Sequence, residues 1–506
     1  MDEMSRKQHP AGWLRSAPVL VWLVPTLATL TVGLVGIGRA QPWRDELATW
    51  SAATRPLPDL LRLTGTLDAT AGPYYLLMHG WTRLAGDSPT ALRLPSALAM
   101  AAAAGLTAVL AARLSDARAG LLAGLLLAVL PGTARYAQEA RPYALATCLA
   151  VLATLLLVAA LHRPTWPRWA GYAAAVIGLG LAHLLALALL AAHAVVAMVA
   201  GAGWSPLAVR DRRLAPRWLL AVLAALVVLT PLLLRVPGQR SRQLDWVEPA
   251  RLADLAALPA GVAQSGVVGG LVVGLAALGA ARAGRQALLP GLCVLLPVLL
   301  VFVAGLAVPL WVPRYLLFTV PFACVLAGAA LATRPAPPPT GPASPRAGAL
   351  SVAPGLAVVA LAGLLGLPDQ ASLRRTHGWP RSSTVDYRGA AELVGANQRP
   401  GDAIVYSPRE GWFFLDLGLA YHLKERPRDV LALRDQRQRA DFWVTECPRP
   451  AECLAGVQRV WLVLAGRRPD PLTAVPGATG TALRDTYTVS RRWHRPNLTV
   501  ALLTRT

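Results

Sequence analysis

The strongest chemical signal in the sequence is a pair of adjacent carboxylates, Asp45 and Glu46, directly after the first apolar run. Here the chain is expected to leave a membrane, and acidic side chains at that depth are costly, so such a pair usually has a chemical task or a cationic partner. The structural alternative is a solvated interfacial pair that Arg39 and Arg44 neutralise.

Two further polar breaks interrupt the apolar sequence. The first contains Glu139 and Arg141, and the second contains Arg314 and Tyr315. Such groups are candidates for a site, although ion pairs that only stabilise structure produce the same pattern. Glu139 and Arg141 could therefore pair with each other and with Arg135 as a structural cluster.

The composition indicates a membrane protein. Of the 506 residues, 55% are hydrophobic and 15% are charged, whereas soluble domains carry about 25% charged residues. Long apolar runs recur from Pro18 to Leu367, which predicts a mostly helical, polytopic membrane protein. The net charge of +22 would suggest nucleic acid in a soluble protein. Here the arginines lie mainly in short loops, where they set orientation and meet lipid head groups, so we exclude nucleic acid as a partner.

The apolar runs predict about eleven membrane-spanning helices. The first, from Val19 to Gly38, is long enough to span and is retained rather than cleaved. The basic short loops fall on one side, which the positive-inside rule assigns to the cytoplasm. This arrangement places the N-terminus inside, and the polar loop 39–89, both polar breaks and the C-terminal region outside. We therefore expect a multi-pass protein of the plasma membrane with an extracytoplasmic working face.

Three regions follow from the change in composition. Residues 1–367 form the membrane domain, a Pro-rich cytoplasmic linker occupies 334–348, and residues 380–506 form a small extracytoplasmic α/β domain. Buried strands of this last domain are predicted at Ala403–Tyr406, Val460–Leu464 and Thr499–Leu503.

The cysteines favour a disulfide over a metal site. Cys447 and Cys453 lie in the polar C-terminal region with a spacing that does not suit a C-x-x-C pair, so a short disulfide is expected. No histidine and cysteine cluster has metal-ligand spacing. A divalent ion at Asp45 and Glu46 remains an unsupported alternative.

Several motifs together resemble a known family, the GT-C fold glycosyltransferases of glycosyltransferase family 39, the branch of the protein O-mannosyltransferases and aminoarabinose transferases. The resemblance is best from Val19 to Ala160 and depends on the order and spacing of the motifs. These are Trp43-Arg44-Asp45-Glu46, Asp68 followed by Gly72-Pro73-Tyr74-Tyr75, Ala91-Leu92-Arg93-Leu94-Pro95-Ser96-Ala97, Tyr136-Ala137-Gln138-Glu139-Ala140-Arg141-Pro142-Tyr143, and Arg314-Tyr315.

The resemblance implies an inverting transfer of a sugar, with mannose expected, from a polyprenyl phosphate to a hydroxyl of a protein, glycan or lipid on the extracytoplasmic face. The lipid-linked sugar is then a substrate, and no cofactor is certain. By resemblance Asp45 is the general base, Glu46 supports it, and Glu139 binds donor or acceptor. The further implied binding residues are Arg93, Arg314 and Arg141 for the phosphate, with Asp68, Tyr143 and Tyr315.

Each of these assignments has an alternative. Arg93 could reach the membrane interface without a ligand, Asp68 could cap a helix before Pro73, and His183 reads as a polar turn residue. For the whole protein, one alternative is a transporter or flippase of lipid-linked sugars that performs no bond chemistry. Another is a membrane scaffold whose C-terminal domain is the functional binding module.

Overall fold

The computed structural model describes residues 18–201, 211–244, 247–332, 352–376, 385–411 and 413–506. The Pro-rich linker predicted at 334–348 lies outside these described residues. The chain described up to residue 376 is helical between its turns. In chain order the helices are α1 (Val19–Leu34), α2 (Arg44–Ala53), α3 (Leu57–Thr66), α4 (Gly72–Ala85), α5 (Pro89–Leu114), α6 (Ala117–Val129), α7 (Pro131–Ala137), α8 (Tyr143–His162), α9 (Trp166–Ala182), α10 (Leu189–Gly201), α11 (Leu214–Leu244), α12 (Leu252–Ala263), α13 (Gly266–Ala283), α14 (Leu288–Ala307), α15 (Val320–Ala332) and α16 (Ala353–Thr376).

The described helices do not confirm the predicted count of eleven membrane spans. Within the described residues, six helical segments are long and apolar enough to cross a membrane, or seven if α6 and α7, bent by 68°, form one span. One segment covers 42 residues from Gly266 to Ala307, about twice the roughly 20 residues that one crossing needs. Other apolar runs, such as α1 with 16 residues and α12 with 12, form shorter helices. The count of eleven is therefore not confirmed.

Small residues allow the long helices to pack closely. A Cβ atom added to Gly279 on α13 would lie 1.9 Å from the carbonyl oxygen of Leu326 on α15. Gly124 on α6 meets the ring of Pro25 on α1 in the same way, at 2.7 Å. Because lipid tails are as apolar as the helices, association in a membrane depends on such close backbone approach. The result is a closely packed bundle of helices.

The C-terminal part is a small α/β domain, as the composition predicts. Its five-stranded sheet has the order β2-β1-β5-β7-β6, with β1 parallel to β2 and β5 and with β7 antiparallel to β5 and β6. The three predicted strands correspond to β1, β5 and β7. The elements are α17 (Tyr387–Asn397), β1 (Ala403–Ser407), α18 (Leu415–His422), β2 (Arg428–Asp429), β3 (Ala432–Arg434), β4 (Thr445–Glu446), α19 (Pro450–Cys453), β5 (Arg459–Ala465), α20 (Gly477–Thr486), β6 (Tyr487–Arg495) and β7 (Leu498–Arg505).

The predicted disulfide is present. Cys447 and Cys453 are bonded to each other and fix the segment between β4 and α19. The three other cysteines are free.

The C-terminal domain shares a hydrophobic core with α2, α3 and α4. Leu47, Leu60 and Tyr75 from these helices belong to the same buried cluster as Tyr387 and Phe414. Polar contacts support this interface: Arg437 Nε lies 2.8 Å from Asp59 Oδ2 and Tyr421 donates a hydrogen bond to the Asp87 carbonyl. The domain is therefore docked on the α2–α4 region.

Candidate active site

Helix α2 presents the two carboxylates in different directions. The helix begins after Trp43, and Glu46, its third residue, accepts a hydrogen bond from the Trp43 backbone N–H at 3.3 Å. Successive residues of a helix point about 100° apart. Glu46 consequently faces the protein interior with 1% exposure, while the Asp45 side chain is 17% exposed. Both acids also lie at the positive end of the helix dipole.

Glu46 forms a buried ion pair with Arg93 of α5. The Arg93 Nε and Nη2 atoms donate to the two carboxylate oxygens at 2.7 and 2.6 Å. Its remaining N–H groups bind the backbone carbonyls of Ile37, Ala40 and Gln41. All five donors of the guanidinium are thus used, and its side chain is 0% exposed. These contacts place Arg93 between Glu46 and the backbone that precedes α2.

A cavity of about 270 Å³ lies between the helical bundle, the α2–α4 region and the C-terminal domain. Six of the nine predicted site residues line it: Asp45, Asp68, Arg141, Tyr143, Arg314 and Tyr315. Glu46, Arg93 and Glu139 do not. The wall also includes Arg44, Ala48, Leu67, Thr70, Ala71, Pro142, Ala182, His183, Leu184, Leu185, Val236, Leu310, Phe414 and Phe442.

Of the adjacent carboxylates Asp45 and Glu46, Asp45 is the one that lines this cavity. One of its oxygens lies 3.7 Å from Arg44 Nε and the other 3.7 Å from Arg314 Nη2. Both separations exceed a good hydrogen-bond distance, so the two arginines compensate the charge without saturating the oxygens. A hydroxyl group that enters the cavity can therefore donate to Asp45.

Arg314 is held among aromatic rings. Its Nε donates to the Tyr143 hydroxyl at 3.1 Å, and its guanidinium carbon lies 5.5 Å from the centre of the Tyr315 ring. His183 packs edge-on against Tyr315 at 5.3 Å. These contacts orient a 6% exposed arginine toward the cavity. A fixed guanidinium in a partly dry site suits a phosphate group.

Arg141 and Asp68 are connected through Tyr75. The Tyr75 hydroxyl donates to Asp68 and accepts a hydrogen bond of 3.3 Å from Arg141 Nη1. Burial raises the pKa of Asp68, and both Arg141 and the hydrogen bond from Tyr75 oppose this increase. Asp68 makes no side-chain capping bond to the turn that follows it, which removes the helix-cap alternative.

Glu139 lies behind the cavity wall. Its carboxylate is 1% exposed and lies 3.3 Å from Arg135 Nη1, whose guanidinium stands over the Trp43 ring at 5.4 Å. Burial raises the pKa of Glu139, while Arg135 and then Arg314 lower it. Glu139 therefore forms the structural ion pair that the sequence left open as an alternative. Its partner is Arg135 and not Arg141. Glu139 itself does not line the cavity.

Some lining residues were not recognised in the sequence. His183 was interpreted as a turn residue, yet it lies in the wall between α9 and a short 3-10 helix, Leu184–Ala188. Phe414 and Phe442 come from the distant C-terminal domain, and no motif marks them. In the described part of the chain, no group of three or more His, Cys, Asp or Glu residues could hold a metal ion.

Comparisons with known proteins agree with this architecture. Residues 73–234, about a third of the chain, match the family described as dolichyl-phosphate-mannose-protein mannosyltransferase. No curated protein sequence matches the chain significantly. Among solved structures, ArnT from Cupriavidus metallidurans in the apo state is 16% identical with a TM-score of 0.62, covering 95% of this chain and 97% of ArnT. The same protein bound to undecaprenyl phosphate is also 16% identical, with a TM-score of 0.63 and coverages of 96% and 98%. The chain therefore has the GT-C fold, which the motif order predicted.

Proposed function

We propose that this GT-C protein is an integral-membrane glycosyltransferase that moves a sugar from a polyprenyl phosphate to an acceptor hydroxyl. The observation that carries the proposal is the cavity in which the accessible carboxylate of Asp45 meets three arginines, Arg44, Arg141 and Arg314. A transfer of this kind needs a base for the acceptor and positive charge for the departing phosphate. The cavity supplies both.

The reaction is a single displacement. Asp45 removes the proton of the acceptor hydroxyl as its oxygen bonds to the anomeric carbon from the face opposite the phosphate. The bond from the anomeric carbon to the phosphate oxygen breaks, and polyprenyl phosphate leaves with the electron pair. Arg141 and Arg314 stabilise the charge that develops on this oxygen. The anomeric configuration is inverted, and the proton on Asp45 passes to solvent.

The apolar side of the cavity fits the lipid of the donor. Leu184, Leu185, Val236 and Leu310 line it beside the two phosphate-binding arginines. Val236 and its neighbours belong to α11, which exposes many apolar side chains, among them Leu233 and Leu234. A polyprenyl chain that leaves the phosphate along this wall would reach lipid without burying a polar group.

Two finer assignments complete the proposal. The matched family is described by its dolichyl-phosphate-mannose donor, so mannose is the first sugar to test. The basic short loops support an extracytoplasmic location for the cavity by the positive-inside rule, with the N-terminus in the cytoplasm. Glu139 then acts as a second negative charge that orients Arg314 and Arg135, without touching the substrate.

The test is sugar transfer by purified protein in lipid nanodiscs. Asp45→Asn should lower the transfer rate about 10²- to 10⁴-fold, the usual contribution of a general base. Asp485→Asn is the matched control, since Asp485 is exposed in the C-terminal domain. The donor is undecaprenyl phosphate carrying radiolabelled mannose, and the acceptor is the cell envelope of a strain that lacks the protein.

Three results would contradict the proposal in different ways. Full activity of a well-folded Asp45→Asn protein would remove the assigned base. Movement of the intact donor across the membrane with no cleavage of its glycosidic bond would indicate a flippase. Failure of the mannose donor, with transfer from another polyprenyl-phosphate sugar, would change only the sugar.

A further inference from the structure

The imidazole of His183 lies in the cavity wall, at the break between α9 and the 3-10 helix Leu184–Ala188. The backbone is extended at this residue, with φ −159° and ψ 104°, so His183 interrupts the helical chain. Its Nε2 atom is buried and has no hydrogen-bond partner among the described residues. Buried polar atoms are nearly always paired, so an unpaired one needs an explanation. An imidazole that lines a cavity can find its partner in the molecule that the cavity binds.

His183 and Arg314 contact the same two tyrosine rings. The centre of the His183 ring lies 5.8 Å from that of Tyr143 and 5.3 Å from that of Tyr315, which it meets edge-on. The guanidinium carbon of Arg314 lies 5.9 Å from the centre of the Tyr143 ring and 5.5 Å from that of the Tyr315 ring. The imidazole and the guanidinium therefore belong to one cluster in the cavity wall.

The charge around this imidazole is positive. Arg141 and Arg314 both line the cavity, and both act on His183 through their charge. Arg141 also carries a buried Nε atom without a hydrogen-bond partner among the described residues. Burial and the two positive charges disfavour a second proton on the imidazole. The ring is therefore neutral, with one N–H donor and one acceptor nitrogen. Such a group does not serve as an acid for a leaving group, but it can donate a hydrogen bond to an anion.

The neighbours of His183 identify the part of the substrate that it meets. Leu184 and Leu185, the next two residues, line the apolar side of the cavity, which the proposed function assigns to the lipid of the donor. Arg141 and Arg314 are assigned to the phosphate. His183 thus connects the residues assigned to the lipid with those assigned to the phosphate. We propose, on the basis of that function, that the neutral imidazole of His183 donates a hydrogen bond to a phosphate oxygen of the polyprenyl-phosphate donor.

The contact should be made to the product as well as to the donor. The phosphate is present before the sugar is transferred, and it stays on the polyprenyl chain afterwards. Undecaprenyl phosphate without a sugar is therefore a sufficient probe, and binding can be measured without any turnover.

The experiment compares two lipids that differ only in the phosphate. Purified protein in lipid nanodiscs is titrated with undecaprenyl phosphate or with undecaprenol, and native mass spectrometry gives each Kd. His183→Phe keeps an aromatic ring against Tyr143 and Tyr315 and removes the N–H donor. It should raise the Kd for undecaprenyl phosphate about tenfold to a hundredfold, the effect of losing a hydrogen bond to a charged group. The Kd for undecaprenol should stay within about twofold of wild type, because this lipid has no phosphate to accept the bond.

Matched variants test the N–H group itself. His183→Gln removes the ring but carries an N–H donor, so it should keep the preference for undecaprenyl phosphate over undecaprenol. His183→Met has a side chain of the same length without the donor and should lose the preference. This pair makes the same comparison if His183→Phe does not fold. His494→Phe is the control and should leave both Kd values unchanged, because His494 is exposed on β6 and does not line the cavity.

Each outcome has a separate meaning. A loss confined to undecaprenyl phosphate in the variants without a donor supports the proposal. Unchanged Kd values in His183→Phe, or an equal loss for both lipids, would overturn it while leaving the transferase function in place. If His183→Phe changes only the KM for the sugar-carrying donor, the imidazole contacts the sugar and the proposal is wrong. If wild-type protein does not prefer undecaprenyl phosphate to undecaprenol, the phosphate site of the proposed function itself fails.

Discussion

The buried pair of Glu46 and Arg93 leads to a prediction that separates a positioning role from a substrate-binding role. Glu46→Gln keeps the shape of the side chain and leaves the guanidinium of Arg93 without its counter-charge. That guanidinium is 0% exposed and cannot gain water in exchange. Breaking a buried pair by removing one partner costs about 3–5 kcal/mol. At about 1.4 kcal/mol per factor of ten, this corresponds to roughly two to three and a half orders of magnitude in a local opening equilibrium.

The segments affected by Glu46→Gln are defined by its hydrogen bonds. Glu46 accepts from the backbone N–H groups of Trp43 and Ala140 as well as from Arg93. Arg93 in turn holds the carbonyls of Ile37 and Ala40. Hydrogen exchange should therefore accelerate by roughly 10²- to 10³-fold in peptides covering 37–46 and 138–142. Mass spectrometry of exchange in nanodiscs measures this directly.

The control for this measurement is an exposed ion pair. Glu248 and Arg251 lie 3.4 Å apart with side chains 62% and 73% exposed, so Glu248→Gln should leave exchange unchanged. Transfer by Glu46→Gln should fall mainly through a lower kcat, since α2 no longer holds Asp45 in place. Wild-type exchange combined with a large rise in the KM for donor would refute this reasoning and would return Arg93 to the phosphate site.

Three further predictions concern the cavity and the C-terminal domain. Arg314→Lys keeps the charge but loses the hydrogen bond to Tyr143. It should lower the transfer rate about tenfold or more in the nanodisc assay, because lysine does not reproduce planar guanidinium contacts. Wild-type kinetics would contradict the phosphate-binding role of Arg314. Burial raises the pKa of Glu139, so wild type resembles Glu139→Gln once the pH falls through that raised pKa, and the two transfer rates should converge at low pH and diverge at high pH. Transfer rates that keep a constant ratio across the whole pH range in which both proteins remain folded would contradict this role. Arg409→Gln leaves Asp429 and Asp416 without their cation, so it should lower the free energy of unfolding by about 3 kcal/mol. Urea titrations followed by tryptophan fluorescence measure this change, and unchanged stability would contradict the prediction.

The sequence predicted which residues would meet but not what each would touch. Asp45, Arg141 and Arg314 come from three separate polar breaks, and the structure brings them to one cavity. Glu46 and Arg93 belong to the same motifs, yet they face inward and hold the backbone. A motif indicates that a residue type is needed at a position. It does not distinguish a residue that contacts a ligand from a residue that positions another side chain.

Other features depend on long-range geometry that local patterns do not contain. Phe414 lines the same cavity as Asp45 but lies far from it along the chain, so only the docked C-terminal domain reveals their proximity. Hydropathy measures composition, and it does not show where an apolar run bends, as between α6 and α7, or forms a helix too short to span, as α12 does. The predicted span count depended on composition alone. The strands β1, β5 and β7 were predicted correctly because a buried strand has a strong local signature.

The contact of Arg55 with Asp441 and Phe442 has a consequence for protein engineering. Arg55 follows α2, the helix that carries Asp45, so this contact is a clasp that joins two distant parts of the chain. A chimaera that exchanged only the C-terminal domain with that of another GT-C protein would pair a foreign loop with Arg55, and the contact between this domain and the segment after α2 would be lost. Exchanging 39–89 and 385–506 as a pair would carry both halves of the clasp. The exchanged C-terminal domain would then keep its contact with the segment after α2.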